Sequence, residues 1–209
     1  MLRRLITIWL PIAAASTAVL LGAYAVGQQG MRQTANFVPE QMAEDSAYQL
    51  ENGAVPAAVV PRNAVTVDVS HSVLPFIMVF DDHGTVLESS MKMGSDLPVP
   101  PSGIFAYVSQ YGEERILTWQ PASGIRLATT VIHWKSSVPA TSSATSFATP
   151  PSTGGAISSG FVLAGQGLRI VEDTTQRLAL MMFAGWIATM IGTLVIVMLT
   201  YWLEGKLKE

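Results

Sequence analysis

The sequence predicts an α+β domain, a five-stranded antiparallel sheet with flanking helices, set between two transmembrane helices. Three observations predict it. Residues 5–26 and 178–203 contain no charged side chain, and each run meets the ~20 apolar residues that a helix needs to cross about 30 Å of hydrocarbon with its backbone bonded internally. Between them, short β-branched and aromatic runs alternate with clusters of Gly, Pro, Asn, Asp and Ser, as strands alternate with turns. Apolar residues at helical spacing occur at residues 102–112 and again from 168 into the second uncharged run. A chain that is 49% hydrophobic and 13% charged fits a membrane protein.

Arg3 and Arg4 precede the first run, and Lys206 and Lys208 follow the second. Basic flanks stay in the cytoplasm, so residues 1–4 and 204–209 are expected inside and the middle of the chain outside. The second flank is the weaker signal, since Glu204 and Glu209 share it. A cleavable signal peptide is the competing reading of the first run, because Ala23-Tyr24-Ala25 has a small-x-small pattern after a basic start. The apolar run is longer than a usual signal core, which favours retention. In both readings the domain is exported and the second helix anchors it in the bilayer.

After the first span the helix can continue over residues 28–36. Pro39 has no N–H to give and costs about 3 kcal/mol inside a helix, so a break is expected near Val38. A second helix then starts at Pro39, with Met42, Ala43, Ala47 and Leu50 as its apolar side and Asn52-Gly53 as its stop. Residues 54–63, with Pro56 and Pro61, read as a connector. Residues 76–81 are apolar on both faces and residues 86–90 grow polar, which describes an inner strand and a more exposed one joined by a turn at Gly84.

Pro98 to Pro101 halt the chain. Ile104, Val108 and Tyr111 then recur at helical spacing, with Ser102 as the expected N-cap and Gly112 just past the end. Residues 115–120 and 125–134 read as a hairpin around Pro-Ala-Ser-Gly. Residues 136–159 are almost wholly Ser, Thr, Ala, Pro and Gly, too poor in apolar side chains to offset the entropy of ordering, and are expected to form a flexible loop. Residues 160–164 supply a last strand, expected to pair with 125–134 across that loop. Leu168, Val171, Thr175 and Leu178 then carry a helix from the domain straight into the second span.

With FDDHGTVLESS, PVPPSGIFAYV, ILTWQPASGIRLATTVIHW and GFVLAGQGLRIVEDTTQRL in this order, residues 31–177 resemble the extracytoplasmic PAS-like (single Cache) sensor domains of bacterial histidine kinases and chemoreceptors. The resemblance implies a small-molecule pocket between the sheet and the short helix, and a continuous helix linking pocket to membrane. Such receptors continue past their second span into an output region, whereas here residues 204–209 follow it. The expectation is a sensor-like module that binds a small molecule or an exported partner and signals sideways through its spans, to a membrane partner or to its own copy in a homodimer. A structural or assembly subunit using the same fold as an interaction surface is the alternative.

Candidate ligand residues follow from type and face. Arg126, on the strand face shared with Ala128, Thr130, Ile132 and Trp134, is suited to grip a carboxylate, with Tyr107, Tyr111 and Trp119 as walls. The plainer reading is that the aromatics are core and Arg126 is a solvated charge. In the spans, Ala14, Ala18 and Gly22, and Ala184, Ala188 and Gly192, stand four apart, a spacing that lets helices approach closely in lipid.

Other classes are disfavoured. There is no cysteine, which removes disulfides and thiolate metal sites, and His71, His83 and His133 lack ligand spacing. With Arg3, Arg4, Lys206 and Lys208 taken from the 12 basic residues, and Glu204 and Glu209 from the 15 acidic ones, residues 32–177 keep 8 basic and 13 acidic. That balance argues against nucleic acid as a partner. No nucleophile elbow, phosphate loop, zinc helix or dinucleotide fingerprint occurs, so neither enzyme activity nor a cofactor is expected.

Overall fold

A computed structural model describes residues 2–60, 66–112, 114–137 and 158–206, with backbone alone for 2–5 and 204–206. The expected flexible loop at 136–159 lies outside the described residues from 138 to 157. The elements in chain order are α1 (Leu2–Glu51), α2 (Pro56–Val59), β1 (Val67–Asp68), β2 (Phe76–Asp81), β3 (Val86–Ser89), β4 (Met91–Lys92), α3 (Ser102–Tyr111), β5 (Arg115–Ala122), β6 (Ile125–Lys135), β7 (Ser159–Gly167) and α4 (Arg169–Lys206). They form two compact units, Gln33–Ile170 and the pair Met1–Arg32 with Val171–Glu209.

In the first unit a five-stranded antiparallel sheet has the order β3-β2-β7-β6-β5. The last strand does pair with β6 as the sequence predicts, in a ladder from Leu127↔Gly167 to Lys135↔Ser159. Its other edge pairs with β2, from Phe76↔Gly165 to Asp81↔Gly160, so β7 sits at the centre. Its apolar side chains have somewhere to go on both sides. On one face Phe76, Met78, Phe80, Leu127, Val131, Phe161 and Leu163 meet Phe105 and Val108 of α3. On the other, Ile77, Val79, Trp134, Val162 and Ala164 meet Ala43, Ala47 and Leu50 of α1. Helices therefore flank both faces of the sheet, α3 on one and α1 on the other.

The expected break at Pro39 does not occur: α1 runs unbroken from Leu2 to Glu51. The reason is a hydrogen bond from a residue remote in the chain. Proline cannot donate to the carbonyl four residues back, which is that of Ala35, and a buried carbonyl without a partner costs about 1–3 kcal/mol. Gln166 of β7 supplies the missing donor, its Nε2 reaching the Ala35 carbonyl at 2.7 Å. Pro39 itself is buried, in one stripe with Ala35, Ala43, Ala47 and Leu50.

The hairpin turn is built by Asp81, whose Oδ1 accepts from the backbone N–H of His83 at 2.9 Å and of Thr85 at 2.8 Å, while Gly84 takes a left-handed φ of 78°. At α3 the cap is Pro101, and Ser102 is the first helical residue with no capping bond from a side chain, which corrects the expected N-cap. Three elements have no counterpart in the sequence reading: α2 inside the connector, and β1 and β4, which form the parallel pair Val67↔Met91 and Asp68↔Lys92. Asp68 braces that pair, its Oδ1 accepting from the N–H of Ser70 at 3.0 Å and of Gly94 at 3.3 Å, and these bonds hold its carboxyl below the usual range.

In the second unit α1 and α4 lie antiparallel and are both long and apolar enough to cross a membrane. Large apolar side chains such as Val19, Leu21, Leu180, Phe183, Ile191 and Ile196 point outward, each more than half exposed.

Candidate functional site

The four residues expected to line a ligand pocket are not gathered in one place. Trp119 is 6% exposed and belongs to the α3-side core, opposite Leu127 of β6. Arg126 precedes Leu127, so alternation along the strand turns it to the other face of the sheet. Tyr107 and Tyr111 do meet, with ring centroids 4.7 Å apart, and Tyr111 is exposed. Their cation is Arg115, not Arg126: the Arg115 guanidinium stands 4.7 Å over the Tyr107 ring. Such a contact at an exposed site contributes about 0.5–1 kcal/mol and presents a flat, positively charged aromatic surface. Where the α3 side faces the sheet, Phe105 packs on Phe80 and Phe161 at 4.9 and 5.0 Å. The space is filled with rings.

Two polar clusters lie at the rim of the sheet unit. Asp82, in the β2–β3 turn, accepts a hydrogen bond from the Ser159 hydroxyl on Oδ2, and its Oδ1 lies 3.4 Å from His133 Nε2. The carboxylate stands between serine and imidazole, whereas a hydrolytic triad places the imidazole between the other two. The arrangement joins the start of β7 to the turn and gives Ser159 no imidazole base. The second cluster is Glu40 and Glu44, one turn apart on α1, with Glu114 just before β5, their carboxylate oxygens all within 4.8 Å. Burial raises the Glu114 carboxyl above its ordinary value, and the Glu40 and Glu44 charges and a hydrogen bond with Glu40 raise it further.

The helix pair holds the polar contacts that the sequence reading missed. Trp9 Nε1 donates to Thr193 Oγ1 at 3.1 Å, and Trp186 Nε1 donates to Thr17 Oγ1 at 2.9 Å. Each helix thus gives one indole to a threonine of the other. Each threonine hydroxyl passes its own proton back to its helix, Thr17 to the Ala13 carbonyl at 2.8 Å and Thr193 to the Thr189 carbonyl at 2.9 Å. Every indole and hydroxyl donor in this clasp is satisfied. The signal was present in the sequence as tryptophan and threonine inside uncharged runs.

The small-residue stripes are elsewhere. Ala14, Ala18 and Gly22 are exposed, as are Ala184 and Ala188, and nothing lies within 4 Å of the position a side chain would take at Gly22 or Gly192. The two helices meet instead along Ala13, Thr17 and Gly27 of α1 and Leu178, Trp186, Thr193 and Val197 of α4.

No protein-family model matches this chain, and neither a curated protein nor a solved structure matches it.

Proposed function

We propose that the protein is a two-pass membrane protein with both termini cytoplasmic, and that its outward sheet domain is a sensor-like module binding an exported partner. It passes that event sideways, through its spanning helices, to a neighbour in the membrane. The observation that carries this reading is the continuity of α1: the Gln166 amide at the Ala35 carbonyl keeps one helix intact from the apolar run to the core of the sheet unit. A break at Pro39 would have left a flexible joint there.

The surface of Tyr107, Tyr111 and Arg115 is the docking face, since exposed tyrosine and arginine are the side chains that most often anchor a protein partner. The Phe80-Phe105-Phe161 packing favours a protein over a small molecule, because rings occupy the place between sheet and short helix. Arg3 and Arg4 support the orientation by the preference of basic flanks for the cytoplasm. The outward faces of Ala14, Ala18 and Gly22 and of Ala184 and Ala188 suit contact with a neighbouring helix.

The filled core equally suits an assembly subunit, and one experiment separates the two. A photo-crosslinking residue at position 111 in living cells should give one discrete adduct that Arg115→Glu abolishes. An adduct whose yield follows growth conditions marks a sensor, and a constant one marks an assembly subunit. No adduct, together with a rise in Tm on adding a metabolite, would replace the exported partner with a small molecule.

A further inference from the structure

Between α1 and α4, on one side of the Trp186–Thr17 bond, lies a cavity of about 380 Å³ open to the surroundings of the pair. Its large walls are Leu20, Leu21, Tyr24, Met182, Phe183 and Trp186, and Thr17 and Ala179 complete the lining. On the membrane reading above, on which this inference rests, a third helix or a lipid tail must fill that groove, because an unfilled void forfeits the dispersion contacts of its lining. The side chains decide between them. Helices approach each other in lipid over Gly, Ala and Ser, whereas six of the eight residues lining this groove are Leu, Met, Phe, Tyr or Trp, with Thr17 and Ala179 the two small ones, a lining that keeps a helix backbone away but lets a flexible hydrocarbon chain thread among the large side chains.

One end of the groove also has the features of a headgroup site. Tyr24 and Ala179 mark the end nearer the sheet domain in sequence, and tyrosine is at home at the membrane interface. Counting along α1 from Leu21, residues 25, 28 and 32 share its azimuth, which brings exposed Arg32 onto the groove side. Arg32 stands about 12 Å beyond Tyr24 at ~1.5 Å per residue, outside the uncharged run, at the level of lipid phosphates. We propose that this groove is a site for an anionic phospholipid, with one acyl chain between Leu21 and Phe183 and its phosphate at Arg32.

The full chain, reconstituted in bilayers of phosphatidylglycerol and phosphatidylcholine and then extracted for native mass spectrometry, should retain one phosphatidylglycerol. Ala179→Phe, which fills the groove, should lower retention about tenfold, and Ala188→Phe on the outward stripe should not. Arg32→Gln should keep a lipid but lose the preference for phosphatidylglycerol. As a check independent of those variants, phosphatidylglycerol with brominated acyl chains should quench a saturable share of the fluorescence that Trp186→Phe removes. Equal retention in Ala179→Phe and Ala188→Phe, or quenching that Trp186→Phe leaves unchanged, overturns the groove. A preference that survives Arg32→Gln overturns the headgroup site. Recovery of the chain in the aqueous fraction after alkaline carbonate washing would instead overturn the membrane reading itself.

Discussion

The helix pair and the sheet domain are built inside out relative to each other. In the sheet domain Phe76, Phe80, Val131 and Leu163 are buried to 2% exposure or less, and the carboxylates of Asp68, Asp82 and Glu114 lie at its rim. In the helix pair Val19, Leu21, Leu180 and Ile196 are at least 63% exposed, and hydrogen bonds between indole and hydroxyl hold the middle. Tryptophan makes the contrast sharpest. Trp9 and Trp186 each have a partner for the indole N–H, whereas Trp134, 1% exposed in the α1-side core, has none among the described residues. Burial of a large apolar ring outweighs one unmade bond in the domain, where the unfolded state faces water. On the membrane reading proposed above, burial brings the helix pair no such gain, so specific polar contacts have to hold it.

The largest effect that tests this contrast is in the apolar core. Phe80→Ala removes the ring on which Phe105 packs and should cost the sheet domain about 3–5 kcal/mol, seen as a lowered Tm, while the protein remains in the detergent-extracted membrane fraction. Loss from both would mean the two units do not fold on separate physical terms. Next is Gln166→Ala, which leaves the Ala35 carbonyl unpaired beside Pro39 and should cost about 1–3 kcal/mol. Hydrogen exchange should rise at residues 35–43 first.

A smaller effect is expected in the helix pair. Thr17→Val and Thr193→Val should each weaken it by about 0.6–1.7 kcal/mol in lipid without moving the Tm of the domain. The smallest is at the acidic rim. The Glu114 carboxyl is raised in the folded state, so its contribution is present at acid pH and is lost as pH rises through the folded value. Glu114→Gln should flatten that slope and raise stability at neutral pH by ~0.2–0.5 kcal/mol at low salt, the range for screened like-charge neighbours on a helix.

Much of the structure whose deciding contacts are close along the chain was readable in the sequence, the exceptions being the cap of α3, Pro101 rather than Ser102, and the short α2. The β2–β3 turn is fixed by Asp81 acting two and four residues away, and α3 by apolar spacing within one helix. Where the deciding partner is remote, the sequence misled or was silent. Pro39 reads as a helix breaker until Gln166, 131 residues from Ala35, supplies the donor. The Trp–Thr clasp joins residues 184 and 169 apart, and β1 and β4 have two residues each, too few to show alternation. The candidate ligand residues were split for a similar reason: alternation places Arg126 opposite Ile125 and Leu127, but only the packing of Phe105 and Val108 in the core shows that α3 lies on the latter side.

On the proposed topology, one part of this chain is solvated by lipid and the other by water outside the cell. Because the natural chain has no cysteine, a single one is a clean probe. Ser123→Cys, at the exposed β5–β6 turn, should react with a membrane-impermeant maleimide on intact cells, and Leu199→Cys, 54% exposed on α4, should react only after denaturation. Labelling of Leu199→Cys as fast as Ser123→Cys, or of Ser123→Cys only after lysis, would contradict it.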